Sequence, residues 1–176
     1  LGGGSDSQER PDNRPDGTVN GQVLDPPISG ALVKLVSAEG DALSSLVRTD
    51  DDGRFSLQYR GTATGARLVA TGGRDSGTGL SFQGLSLSAP LTDNPDGIVT
   101  PVTTLVAHLM AQGFSLDSAR QRVAARLGLD ASVLLASPQA HGGVQHRAVL
   151  LAQFQTLLRG EQHPEDLLWQ AVTEYD

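Results

Sequence analysis

The chain has no cysteine. Disulfides, thiolate metal centres and cysteine nucleophiles are therefore excluded as sources of its stability or chemistry. Aromatic residues make up only 4% of the 176 positions, with a single Trp, so a core must be built mainly from Leu, Val and Ala. Lysine is nearly absent: Lys34 is the sole one, and the net charge is −7. Phosphate binding needs clustered Lys and Arg, so the balance argues against a nucleic-acid partner. No apolar run approaches the ~20 residues that span a bilayer. No secretory signal segment is visible, and a processed chain would have lost one.

Glycine is abundant, with 21 residues, most of them before position 100 and set between short apolar runs. That pattern predicts many turns between strands. Residues 1–16 carry almost no apolar side chains and predict a linker, because they cannot offset the entropy of ordering themselves. Gly2-Gly3-Gly4-Ser5 has the form of a fusion scar. It also resembles the Gly/Ser-rich tether that follows the lipidated Cys of mature bacterial lipoproteins.

From 17 to 88 apolar residues recur with a period of two, the mark of half-buried strands. Val19 and Val23 alternate with Thr18, Asn20 and Gln22. Ala31, Val33 and Leu35 alternate with Leu32, Lys34 and Val36. Phe55, Leu57 and Tyr59 alternate with Arg54, Ser56 and Gln58, and Leu68 and Ala70 with Arg67, Val69 and Thr71. Leu80 and Phe82 share one parity and Leu85 and Leu87 the other, which predicts a β-bulge at Gly84. Leu43, Leu46 and Val47 predict a weaker strand. Turn chemistry falls at Asp25-Pro26-Pro27, Glu39-Gly40-Asp41 and Asp50-Asp51-Asp52-Gly53. The glycine-rich stretch 72–79 predicts an ordinary flexible loop; it lacks the Gly-Lys-Ser/Thr ending of a phosphate loop. Short strands at this spacing predict a β-sandwich over 17–98.

Near Thr100-Pro101 the period changes, which predicts a helical region over 99–176. Thr100 is a good N-cap and Pro101 a good first helical residue. Val102, Leu105, Val106 and Leu109 follow at helical spacing, with Gly113 as the stop. Ser115 caps a second helix with Leu116, Ala119, Val123 and Leu127 on one face and Gly128 at its end. Asp130 starts a short turn through Leu135, ended by Ser137-Pro138. A longer helix is predicted from about Val144 to Arg159. Pro164 opens a last one, striped by Leu167, Leu168, Ala171, Val172 and Tyr175.

Two stretches carry a family resemblance. Gly21-Gln22-Val23-Leu24-Asp25 with Pro27-Ile28-Ser29-Gly30-Ala31-Leu32-Val33-Lys34-Leu35 resembles the first two strands of a carboxypeptidase regulatory-like domain. Thr49-Asp50-Asp51-Asp52-Gly53-Arg54-Phe55-Ser56-Leu57 is similar to that family's next motif, in the right order, so the likeness covers roughly 17–90. Val99-Thr100-Pro101-Val102-Thr103-Thr104-Leu105, with Leu127-Gly128-Leu129-Asp130, resembles the helical tails that follow such domains in bacterial secreted and lipidated proteins. The resemblance implies a transthyretin-like or immunoglobulin-like (Cna protein B-type) sandwich used as a structural or binding module. It implies no reaction.

The residues nominate little chemistry of their own. Asp50, Asp51 and Asp52 suit a calcium ion by type, but lack the remaining ligands of an EF-hand loop; the turn reading leads. His108, His141, His146 and His163 show no convergent ligand spacing. Tyr59-Arg60-Gly61-Thr62 is similar to the terminal motif of hydroxyisourate hydrolases, yet it lies mid-domain with no His before 108, so it reads as a strand end and turn. An isopeptide cross-link, as in some Cna protein B-type relatives, would need Lys34 with Asn20 or Asn94; an exposed Lys34 on a strand face is the plainer reading. Trp169 is either a docking residue or part of the helical core, and the core reading leads.

The chain is therefore expected to be a non-enzymatic structural, adhesion or binding module. It is expected to be exported to the cell envelope (periplasm, outer membrane or cell surface), tethered there by an N-terminal lipid as a lipoprotein. Its partner would be a protein or glycan. No catalytic, cofactor-binding or metal residue is nominated, and no cofactor is expected. The alternative is a hydrolase with a site at the sandwich–helix junction.

Overall fold

A computed structural model describes residues 14–24, 27–92, 96–136 and 164–174, together with Arg147, Leu151, Gln155 and Leu158. Strands come first: β1 (Gly17–Val23), β2 (Ile28–Ser29), β3 (Leu32–Val36), β4 (Val47–Arg48), β5 (Arg54–Tyr59), β6 (Arg67–Thr71), β7 (Arg74–Asp75), β8 (Ser86–Pro90) and β9 (Asp96–Val99). Helices α1 (Pro101–Ala111) and α2 (Leu116–Leu127), a 3-10 turn (Ala131–Val133) and α3 (Pro164–Glu174) follow. The protein is thus β-rich with a helical part. One sheet runs β5-β1-β9, a second β4-β3-β6-β8, and β2 pairs with β7. Every one of these strand pairs is antiparallel except β1–β9.

The expected alternation sets the register. Val19 faces Leu57, Val33 faces Ala70, and Leu68 lies between Leu35 and Ala89. All of these are buried, and with Phe55, Leu87 and Val99 they form one apolar cluster that both larger sheets share. Each large side chain so buried contributes about 1.5–3 kcal/mol, the main term holding the sheets together.

The two family-like motifs meet in space. Thr49 Oγ1 donates to Ile28 O at 2.7 Å and accepts from Ala31 N at 2.9 Å. The backbone bonds Thr49 N to Ala31 O and Gly30 N to Thr49 O complete the clamp. Next to it, Asp50 Oδ1 accepts from Asp52 N and Arg54 N, both at 2.9 Å, and closes the turn before β5. Gly53 has φ +75°, and a Cβ there would lie 2.3 Å from Val23 O. Turn conformation and the close passage of β1 both demand glycine.

Four expectations need correction. Gly84 lies in a turn closed by Leu85 N to Phe82 O, with φ +81°, and not in a bulged strand; the turn reverses the parity between Phe82 and Leu85. The 72–79 stretch is no plain flexible loop. It holds β7, pinned to β2, and a tight turn in which the buried Asp75 caps Gly77 N and Thr78 N. Strand β9 went unpredicted. It approaches β1 closely because Gly21 and Gly97 face each other, and a Cβ on Gly21 would lie 2.2 Å from Gly97 O. Leu46 and Leu80, expected in strand runs, are 57% and 45% exposed.

The helical part follows its expected caps. Thr100 and Thr103 form a reciprocal capping box with Pro101 in the first turn, and Gly113 has φ +104° just past α1. Ser115 caps α2 and Gly128 ends it in the left-handed region. Between them Arg122 stacks on the Phe114 ring at 4.3 Å. Asp130 caps the 3-10 turn. Val102, Leu105, Val106, Leu109, Ala119, Val123 and Leu168 build a second apolar cluster, with Trp169 partly buried against it. The expected helix from Val144 to Arg159 lies largely outside the described residues, as do the 1–13 part of the tether, Asp25-Pro26 and Ser137-Pro138; within that span Leu151 and Gln155 are buried. Among the described residues no helix is long and apolar enough to cross a membrane.

Candidate functional site

The helices meet the sheets along β8, an edge strand of the larger sheet. An edge leaves backbone groups without a strand partner. Here hydroxyls from α1 take them. Thr104 Oγ1 accepts from Ser88 N at 2.9 Å, and Thr103 Oγ1 donates to Ser88 O at 2.8 Å. Thr100, Thr103 and Thr104 are all but fully buried, so this seam is dry. The Thr-Pro-Val-Thr-Thr run therefore both starts the helix and stitches it to the sheet.

Below that seam lies a cavity of about 260 Å³, lined among others by Arg67, Ser86, Ser88, His108 and Glu165. His108 Nε2 is 3.0 Å from Asp166 Oδ1 on α3. Gln112 Nε2, one turn along α1, is 3.1 Å from His108 Nε2 and 3.4 Å from Asp166 Oδ1. An ionised Asp only accepts, so the consistent assignment has the imidazole Nε2–H and the Gln112 amide both donating to Asp166. The trio ties α3 to α1. Among the described residues neither Ser86 nor Ser88 hydrogen-bonds His108, and the backbone of Ser88 is held by the threonine seam.

A larger cleft, about 840 Å³, opens at the other side of the junction, where the ends of β1 and β5 and the turn at 63–65 face α2 and the 3-10 turn. Val19, Leu91, Leu116 and Leu135 line it with apolar surface, and Thr18, Tyr59, Thr64 and Ser132 with hydroxyls. Arg120 is the cationic residue among its described lining. At its edge Asp130 holds Ser132 through N–H and hydroxyl bonds of 2.9 and 2.8 Å. The backbone bond first, then the hydroxyl bond, lower the Asp130 pKa from its ordinary value.

No family model, curated protein or solved structure matches the chain.

The residues singled out in the sequence scatter. Asp50 is committed to its turn, Asp51 Oδ1 accepts from Ser29 Oγ at 3.1 Å, and no group of three or more acidic or His residues converges on a metal-sized point among the described residues. His108 alone of the four histidines is described; His141, His146, His163, Asn94 and Tyr175 lie outside the described residues. Lys34 is half-buried on β3 and Asn20 is exposed on β1 in the other sheet, so Asn20 lacks the burial such a cross-link requires. Tyr59 ends β5, its ring over Gly17, and Gly61 turns the chain beyond it. The Arg120 cleft gave no sequence signal, because its lining comes from six segments separated along the chain.

Proposed function

We propose that the chain is a non-enzymatic binding module of the bacterial cell envelope, built on a carboxypeptidase regulatory-like, immunoglobulin-type sandwich and carried there by an N-terminal lipid. The observation that carries this reading is the Thr49 clamp. Thr49, Asp50 and Asp51 of the second motif spend their side chains on strands and turn: Thr49 on Ile28 and Ala31, Asp50 on Asp52 and Arg54, Asp51 on Ser29. Such motifs serve architecture, which leaves function to surfaces such as the 840 Å³ cleft. Its partner is a protein or glycan of the envelope. The test is affinity capture from envelope fractions and a glycan panel, beside fractionation of cells making the full-length precursor. Saturable binding together with envelope recovery supports the reading; recovery in the cytoplasm defeats it.

One observation favours a second reading, a hydrolase at the junction. His108 and Asp166 are 3.0 Å apart beside a cavity that also presents Ser86 and Ser88. Turnover of activated esters that His108→Ala abolishes, in a variant of unchanged fold, would replace the module reading with this one.

A further inference from the structure

The Arg120 cleft has the chemistry of an acid-recognition site, and among the described residues no carboxylate fills it. Arg120 projects from the second turn of α2 into a space of about 840 Å³, inside the roughly 300–1,000 Å³ usual for small-ligand sites. Its Nε is buried, and among the described residues no hydrogen-bond acceptor reaches it. Its ion pair among the described residues is loose: Nη1 lies 3.7 Å from Asp117 Oδ1, and the Asp117 side chain is 84% exposed. A pair that long and that wet neutralises little of the guanidinium. The guanidinium is therefore held at the cleft by α2 with Nη1 only lightly engaged. The Arg120 side chain is 30% exposed while its Nε is shut away, so the planar guanidinium presents its two terminal Nη groups, whose parallel N–H bonds match a carboxylate.

The rest of the lining narrows the ligand. Hydroxyls of Thr18, Thr64 and Ser132 surround the opening, and Tyr59 presents a half-buried ring with a polar tip. Hydroxyls can donate and accept, which suits the hydroxyls of a sugar, and an aromatic ring suits its C–H face. With a net charge of −7 on the chain and Asp117 and Asp130 close by, a ligand bearing many negative charges would be repelled. We propose that this cleft binds a saccharide carrying a single carboxylate, with Arg120 on the carboxylate and the hydroxyl rim on the ring. The proposal rests on the binding-module reading and names its ligand class.

The experiment is calorimetric titration of the full chain with cellobiouronic acid, with its methyl ester, and with the peptide triglycine. The acid binds the unaltered protein; the ester, which keeps the rings and loses the charge, binds at least roughly tenfold more weakly. Arg120→Gln reduces the acid's affinity to that of the ester and leaves the ester's unchanged. Arg120→Lys, which keeps charge and loses the fork, recovers only part. Thr64→Trp, on the exposed turn across the cleft from α2, blocks both ligands; circular dichroism and the thermal midpoint confirm that the fold persists in each variant. Equal binding of acid and ester, no binding of the acid at millimolar concentration, or indifference to Arg120→Gln overturns the proposal. Triglycine binding with the same Arg120 dependence overturns the saccharide assignment in favour of a peptide carboxylate. In any of these cases, capture of an envelope partner unaffected by Arg120→Gln leaves the module reading standing, so the two fail separately.

Discussion

A single hydroxyl does much of the work of joining the first strands. Thr49 is 4% exposed and satisfies one backbone donor and one backbone acceptor of the β2–β3 turn. Thr49→Val keeps the shape and removes both bonds, leaving Ala31 N and Ile28 O without that partner. Each buried group so orphaned costs about 1–3 kcal/mol. Urea unfolding of Thr49→Val is expected to show a midpoint lowered accordingly with an unchanged slope, while Thr49→Ser recovers most of the loss. The neighbouring acidic triplet behaves differently from its appearance. Asp50 has its carboxylate on two backbone N–H groups and Asp51 has a hydroxyl, so the carboxylates do not converge. Millimolar calcium is therefore expected to leave the thermal midpoint where it was; a rise of several degrees, lost in Asp51→Asn, would restore the metal reading.

At the scale of elements, the caps and stripes were the legible part. Thr100, Ser115, Gly113 and Gly128 stand where helix starts and stops require them, because capping is a local bargain between a side chain and the first or last turn. Strand parity was legible for the same reason: Val33, Leu35, Leu68 and Ala70 are buried where period two places them. What stayed hidden is pairing at a distance. Strand β9 is four residues long, and only Gly21, far back in the chain, explains why it can lie beside β1. The turn at Gly84 and a bulge there leave the same trace in sequence, a switch of parity. Hairpin β7 was masked by its glycines, which permit a loop and a tight turn alike. The candidate cleft was the least legible, since nothing in α2 announces that Arg120 will face the turn at 63–65. Trp169 lies between these cases. It is partly buried against the helical cluster, next to the fully buried Leu168. Trp169→Ala is accordingly expected to cost about 1–3 kcal/mol, less than a fully buried Trp would. An unchanged midpoint in thermal unfolding would instead return Trp169 to the role of a docking residue.

Among the described residues there are two apolar clusters, one among the strands and one among the helices, joined where α1 packs on β8. That junction carries buried polar bonds: Thr103 and Thr104 bonded to the backbone of Ser88, with His108 and Asp166 holding α3 beside it. Two clusters this separate would unfold independently unless the seam couples them, because each already buries its own apolar surface. Coupling through the seam rests on bonds that no side chain of the strands can replace, since β8 is an edge. Thr103→Val with Thr104→Val keeps the volume of the seam and removes its hydroxyls. The double variant is expected to unfold in two steps where the unaltered chain unfolds in one. The earlier step should report on Trp169 fluorescence and the later one on far-ultraviolet strand signal. Ser88 N–H, deprived of Thr104, should lose its hydrogen-exchange protection in the same variant, while Val69 and Leu87 keep theirs. A single coincident transition by both probes would show that apolar packing of α1 on β8, and not the threonine seam, makes the molecule one cooperative unit.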